Sequence, residues 1–168
     1  MAIESFFIGL SNAGPIGIFL LSVIINASVL FPIPILEFAL FASGQINLFG
    51  LGIFSPIVFG VAAGLGAGIG ELSGYFLGRG GRKILKKFNE KQAEEIFMFG
   101  KKLESKGFFA LILFAFFPFP FDLVGIAAGL VKYKMHLFML GCAIGKSLRY
   151  SLISYAGYFG ISWLMGLL

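Results

Sequence analysis

The sequence predicts an all-α membrane protein, a polytopic helical bundle, on three observations. Charged side chains are absent from Ser5 to Leu36, from Phe38 to Gly70 and from Tyr150 to Leu168. Each gap is long enough for the roughly 20 apolar residues that span a bilayer as a helix. The 168 residues are 58% hydrophobic, 17% aromatic and only 12% charged, whereas roughly a quarter of a soluble domain is charged. A proline-and-acid string occurs twice, FPIPILE at 31–37 and FFPFPFD at 116–122, and prolines at such positions interrupt a spanning helix.

The elements follow in order along a single membrane domain, 1–168. The start, MAIESFFIGL, has an acid and no Lys or Arg; it lacks the basic region of a cleaved signal peptide, so the first apolar segment is expected to be retained. Residues 15–31 read as a first helix with Pro15 near its start, where proline is tolerated. Residues 32–50 are apolar but carry Pro32, Pro34, Gly44, Gln45 and Asn47. A proline inside a helix removes a backbone donor and clashes with the preceding turn, so a re-entrant, broken helix is expected.

Residues 56–78 form a glycine-rich transmembrane helix, with Gly60, Gly64 and Gly68 and then Gly70, Gly74 and Gly78 at intervals of four. Small residues at that spacing let helices approach closely. The string GLGAGIG follows no strand and lies in an apolar span, which excludes a dinucleotide loop. Nine of the thirteen basic residues fall between Arg79 and Lys106. By the positive-inside rule the connection 79–106 faces the cytoplasm, and membrane orientation accounts for its charge without a nucleic-acid partner. Leu85, Phe88, Ile96, Phe99 and Leu103 recur there at helical spacing, as in an amphipathic helix at the membrane surface; a solvated linker is the alternative.

Residues 108–131 repeat the earlier pattern with Pro118, Pro120, Asp122 and Gly129. Glu37 to Gly44 and Asp122 to Gly129 span the same interval, while the gap from proline to acid differs by one residue. This is an internal repeat of two hairpin-breaking segments, one set by Pro32, Pro34 and Gly44, the other by Pro118, Pro120 and Gly129. Residues 135–168 hold the C-terminal transmembrane helices, with Lys146 and Arg149 near their middle, either inside the membrane layer or at a bend.

Three acids, Glu37, Glu71 and Asp122, stand in apolar surroundings. An ionisable group at bilayer depth costs on the order of 3 kcal/mol by insertion scales, so it faces a bundle interior or a watery cavity and marks function by default. Helix-cap or interface positions are the alternative for Glu37 and Asp122. Lys146 and Arg149, at i and i+3, share a helix face, and the arginine fork suits phosphate. They read as a cationic site for an anionic headgroup with the acids titrating nearby, or as a snorkelling pair at an interface. Two broken segments, one per half, point to a central transport site, because helix ends inside the membrane present partial charge.

Other residues carry less. His136 has no second histidine with which to build a metal site, the serines lack triad partners, and Cys142 is a packing residue. No metal, cofactor or enzymatic chemistry is expected. Trp163, Tyr155 and Tyr158 read as interface anchors.

PIPILEFALFASGQINLFG, GELSGYFLGRGGRKILKKF, FFPFPFDLVGIAAGLVKYKMHLF and GKSLRYSLISYAGYFG, in that order, resemble the DedA family, also called VTT-domain or SNARE-associated Golgi protein-like membrane proteins. The resemblance covers roughly 32–160. It implies two oppositely inserted re-entrant helices forming an inverted repeat, and translocation of lipid: flipping of polyprenyl-phosphate carriers coupled to protons or sodium, or phospholipid scrambling. Glu37 then takes the role of the first hairpin's acid and Glu71 that of the acid before the Tyr and Gly-Arg. Many bacterial members carry arginines three residues either side of the second-hairpin proline; alignment on Pro118 puts Ala115 and Phe121 there, and Lys146 and Arg149 are candidates for the missing positive charge.

The leading expectation is a lipid flippase or scramblase in the cell membrane, with Lys146 and Arg149 binding lipid phosphate and Glu37, Glu71 and Asp122 coupling protons or shaping the path. A small-solute or cation exporter and a non-transporting scaffold are the alternatives, and self-association is left open.

Overall fold

The computed structural model describes residues 13–28, 35–80, 90–118 and 121–165, with side chains at all but 92, 93, 103–106 and 161–165. Pro32, Pro34 and Pro120 lie outside the described residues, as do residues 29–31, Leu85 and Phe88. The side chains of Leu103 and Trp163 are likewise outside them. Every regular element among the described residues is helical: α1 Gly14–Ala27, α2 Ile35–Ser43, α3 Ser55–Gly70, α4 Leu72–Arg79, α5 Glu90–Phe116, α6 Phe121–Leu130 and α7 Met135–Met165. Pro15 and Pro56 occupy the first turns of α1 and α3, where a missing N–H leaves no bond unmade.

Two long rods organise the bundle. Gly52–Arg79, 28 residues, is long and apolar enough to cross a membrane, at about 42 Å of helical rise. The 56–78 segment runs through this rod: Glu71, between α3 and α4, keeps right-handed helical angles (φ −64°, ψ −13°), with its N–H on the Ala67 carbonyl at 2.9 Å and its own carbonyl accepting from Tyr75 N–H at 3.2 Å. The second rod is α7, 31 residues without interruption, where shorter helices with a bend were one expectation. Lys146 and Arg149 therefore sit near mid-length of a continuous helix.

Close glycine contacts fix the directions. A Cβ on Gly60 or Gly64 would strike Ser151 or Ser147, and Gly68 faces Met139 and Ala143, so α3 and α7 are antiparallel. Gly66 faces Phe19 and Gly70 faces Val23, Asn26 and Ala27, which makes α1 parallel to α3. Glu37 meets Arg149, Ser43 meets Ser154 and Gln45 meets Gly157, so α2 runs with α7 and against α1, with Gly157 pressed on Phe41 and Gly44 on Ser154. In the other half Gly141 meets Phe108 and Leu111 while Gly145 meets Ile112 and Phe116; the second part of α5 runs with α7. Gly74 lies against Asp122 and Gly125, and Gly78 against Ile126, so α6 runs with α4 and against α5.

The outcome is a pair of helical hairpins, α1/α2 and α5/α6, that approach the two rods from opposite ends. Each returning helix, α2 or α6, docks on the C-terminal part of the rod that belongs to the other half. Two apolar cores flank the middle. One gathers Ile18, Leu21, Leu40, Phe59 and Tyr150, and the other Tyr75, Leu111, Phe121, Phe138 and Cys142.

Gly44 follows the last residue of α2. Gly129 lies within α6, where it marks a close approach to α4 rather than a break. The second half is interrupted between α5 and α6, where Phe117 and Pro118 form a turn, and again at Gly107 (φ 75°, ψ −167°) inside α5, a conformation that suits glycine alone. Gly107 separates the charged stretch 90–106 from the apolar stretch that enters the bundle. Arg79, Lys132, Lys134 and the exposed His136 collect at one end of the rods. The other end carries the turn 44–54, Tyr155 and Tyr158.

Gly64→Ala is expected to lower stability by about 1–3 kcal/mol through overpacking against Ser147. Gly160→Ala, whose Cβ would meet only the Phe41 ring at 3.9 Å, should be close to neutral. Thermal unfolding of both variants in detergent checks this.

Candidate functional site

The chain leaves α3 at Glu71, whose side chain turns into the bundle and meets Lys146 from the facing helix. The Lys146 ammonium donates to Glu71 Oε1, and the two side chains are 6% and 4% exposed. It also donates to Asn26 Oδ1 at 2.5 Å and stands over the Phe121 ring, 5.2 Å from its centroid. Asn26 is itself held in place: its amide donates to the Ser22 carbonyl at 2.8 Å and the Ser22 hydroxyl at 3.1 Å. That hydroxyl donates across to the Ala63 carbonyl at 2.6 Å. The amide oxygen is thereby aimed at the lysine, and the Tyr150 hydroxyl reaches the same oxygen at 3.5 Å.

One turn further along α7, Arg149 Nη2 donates to Glu37 Oε1 at 3.3 Å. This pair is looser and more open, at 25% and 34% exposed. Its guanidinium carbon lies 5.9 Å from the centroid of the Tyr150 ring. Asp122, in the first turn of α6, is half-buried and lies within electrostatic reach of both Glu71 and Lys146. Three acids and two bases thus share the middle of the bundle, where the hairpins end. Glu71 Oε2 is buried without a hydrogen-bond partner, as is the Ser73 hydroxyl, and an unmet buried oxygen is costly.

Lys146 and Arg149 share a helix but serve different acids, each from a different element. A phosphate bridging both must displace at least one carboxylate. The one-residue offset between the repeats has a counterpart here: Glu37 pairs directly with arginine, while Asp122 faces the Glu71–Lys146 pair from its side. Sequence reasoning missed Asn26, Ser22, Tyr150 and Phe121. Asn26 alone carried a signal, as the one side-chain amide in the apolar run 15–31.

A family model, the VTT domain, matches residues 38–159. The chain belongs to the VTT-domain, or DedA, family. No curated protein and no solved structure gave a match. The VTT region contains Glu71, Asp122, Lys146 and Arg149, and Glu37 stands one residue before it. In this VTT-domain chain Ala115 packs against Gly145 and the Phe121 ring underlies Lys146. The two positions at which the resemblance places arginines in many members are therefore both beside the Lys146 turn. The family is membrane-associated, in keeping with the long apolar rod.

Removing one partner of a buried pair leaves a bare charge, so Glu71→Ala and Lys146→Ala should each cost about 3–5 kcal/mol. The double replacement Glu71→Leu with Lys146→Met should recover much of that loss, since a packed apolar pair is often neutral. Glu37→Ala or Arg149→Ala should cost about 1 kcal/mol or less. Denaturation of the purified protein in detergent, run as double-mutant cycles, measures each value.

Proposed function

We propose that this VTT-domain protein is a membrane lipid translocase, a flippase or scramblase, that moves a lipid with a phosphate headgroup between leaflets of the cell membrane. The observation that carries the reading is the mixed cluster of Glu37, Glu71, Asp122, Lys146 and Arg149 at mid-bundle, between hairpins of opposite direction. In this reading both hairpins are re-entrant and the chain is multi-pass. The basic connection 79–106, with Lys132 and Lys134 at the same end, faces the cytoplasm. Polyprenyl phosphate and phospholipids are the substrate candidates.

Arg149 is the first contact for the headgroup, because its partner Glu37 is the more open of the two pairs. Phosphate takes over the guanidinium by a bidentate bond. Glu37, left without its cation, then takes up a proton or another cation, which is how the gradient of protons or sodium couples to lipid movement. Asp122 and the unpartnered Glu71 Oε2 make a second place for such a charge; with Lys146 beside them the two carboxylates carry one net negative charge, which a single proton or monovalent cation neutralises. Lys146, over Phe121, supplies the positive charge that arginines beside the proline give in other members.

A small-solute or cation exporter needs a chiefly acidic cavity, and two cations within the cluster weigh against it. A non-transporting scaffold needs a dry, closed core, and the partly exposed Glu37, Arg149 and Asp122 weigh against that.

In sealed vesicles holding labelled polyprenyl phosphate and labelled phospholipid, the protein should move at least one of them between leaflets. Arg149→Gln should slow movement about tenfold or more, the worth of one charge-assisted bond. Glu37→Gln and Asp122→Asn should flatten its dependence on pH. Movement of neither lipid sinks the proposal, and an unchanged pH profile in both variants removes the coupling step.

A further inference from the structure

At the end of the bundle opposite the basic one, the turn between α2 and α3 is built in an unusual way. Two single 3₁₀ turns, Leu48–Gly50 and Gly52–Phe54, follow one another. Gly50, Gly52 and also Phe49 (φ 50°, ψ 28°) take left-handed conformations. An aromatic residue is a real outlier there, and such strain persists only where the surroundings enforce it. Enforcement is visible: Asn47 Oδ1 accepts from the Gly52 N–H at 2.8 Å, Ser55 Oγ from the Leu48 N–H at 3.0 Å, and Ile53 O from the Tyr155 hydroxyl at 2.9 Å. Gln45 ties the start of the turn to the Gly157 carbonyl of α7.

What this bracing achieves is exposure. Phe49 is 91% exposed, and Ile46, Leu51, Ile53 and Phe54 are exposed with it. A flexible loop would fold such side chains back onto the protein; this one is held with them outward. There is no charge on the chain between Glu37 and Glu71, so the patch offers nothing to a charged partner. It is continuous with the exposed stripe Ile57, Val61, Leu65 and Ile69 on α3, the outer face of the one run that meets the length and apolarity of a membrane span among the described residues. Tyr155 and Phe159 stack beside it, at the level where aromatic residues gather at a membrane–water boundary.

We infer that residues 46–54 form a rigid wedge that inserts Phe49, Leu51, Ile53 and Phe54 into the headgroup–acyl boundary of the leaflet opposite the basic end. Its partner is the lipid layer itself. The inference rests on the membrane placement in the proposed function, but not on translocation. The wedge sets the depth at which the α2–α3 turn rides, and so anchors the first hairpin where it leaves the bundle.

The test uses the full chain with Trp163→Phe and a single tryptophan at Phe49→Trp, reconstituted in phosphatidylcholine vesicles with lipids brominated either near the headgroup or at the chain ends. Leu65→Trp in the same background reports on the span. The expected result at position 49 is blue-shifted emission, stronger quenching by the shallow bromine than by the deep one, and protection from aqueous iodide. Position 65 should be quenched chiefly by deep bromine. Iodide quenching at 49 with lipid quenching at 65 overturns the wedge and leaves the span standing. Lipid quenching at neither position overturns the membrane placement itself. Protection from iodide at 49 without bromine quenching assigns the patch to a second copy of the chain or another protein, and also overturns the wedge.

Discussion

A lysine and a glutamate held at mid-length of an apolar bundle must stay together. Each ion gives up several kcal/mol of hydration on burial, and only a close, hydrogen-bonded partner returns it. The Lys146–Glu71 pair draws on four elements: α7 for the lysine, the α3–α4 junction for the acid, α1 for the Asn26 oxygen and α6 for the Phe121 ring. The glycine contacts follow from this demand. A side chain on Gly60, Gly64 or Gly145 would push α7 away from its neighbours, and the ammonium would no longer reach its oxygens. The two apolar cores then close the pair from either end.

The same constraint gives the hairpins their form. A spanning helix in place of α1/α2 or α5/α6 would fill the middle with apolar side chains and leave the charges unmet. Two hairpins from opposite ends reach the middle without crossing it, and each delivers one acid there. The acids differ in what they meet. Glu37 has its own arginine in a partly open pair, whereas Asp122 is the acid left over once the two pairs are counted. The molecule has a tight, buried pair at its centre and a looser, more open set beside it.

Much of this arrangement was legible in the sequence because it is built from local signals. Charge-free stretches marked helices, Pro118 fell at the turn that ends α5, and isolated acids and bases in those stretches marked the cluster. The assignment of partners was not legible. Lys146 and Arg149 sit three residues apart and look like one unit, and only the packing of the α3–α4 junction and of α2 at successive levels along α7 sends them to different acids. Gly129 looked like a breaker because it echoes Gly44, yet its neighbours show that it serves close packing. Gly107, the kink inside α5, falls at the boundary that composition draws between the charged stretch 79–106 and the apolar stretch 108–131, but its left-handed backbone was not legible there. Phe49 gave no warning either, since its left-handed backbone is set by the bonds around it, local ones from Asn47 and Ser55 and a tertiary one from Tyr155, rather than by its own preference.

The central claim, that the two hairpins enter from opposite faces and meet at a buried ion pair, is open to one direct measurement. With the lone native thiol removed by Cys142→Ala, single cysteines are placed at Gln45, beyond α2, and at Lys132, beyond α6. A membrane-impermeant thiol reagent is then applied to either side of sealed, uniformly oriented vesicles. Opposed hairpins require position 45 to react from one face only and position 132 from the other face only. Reaction of both from the same face would contradict the arrangement.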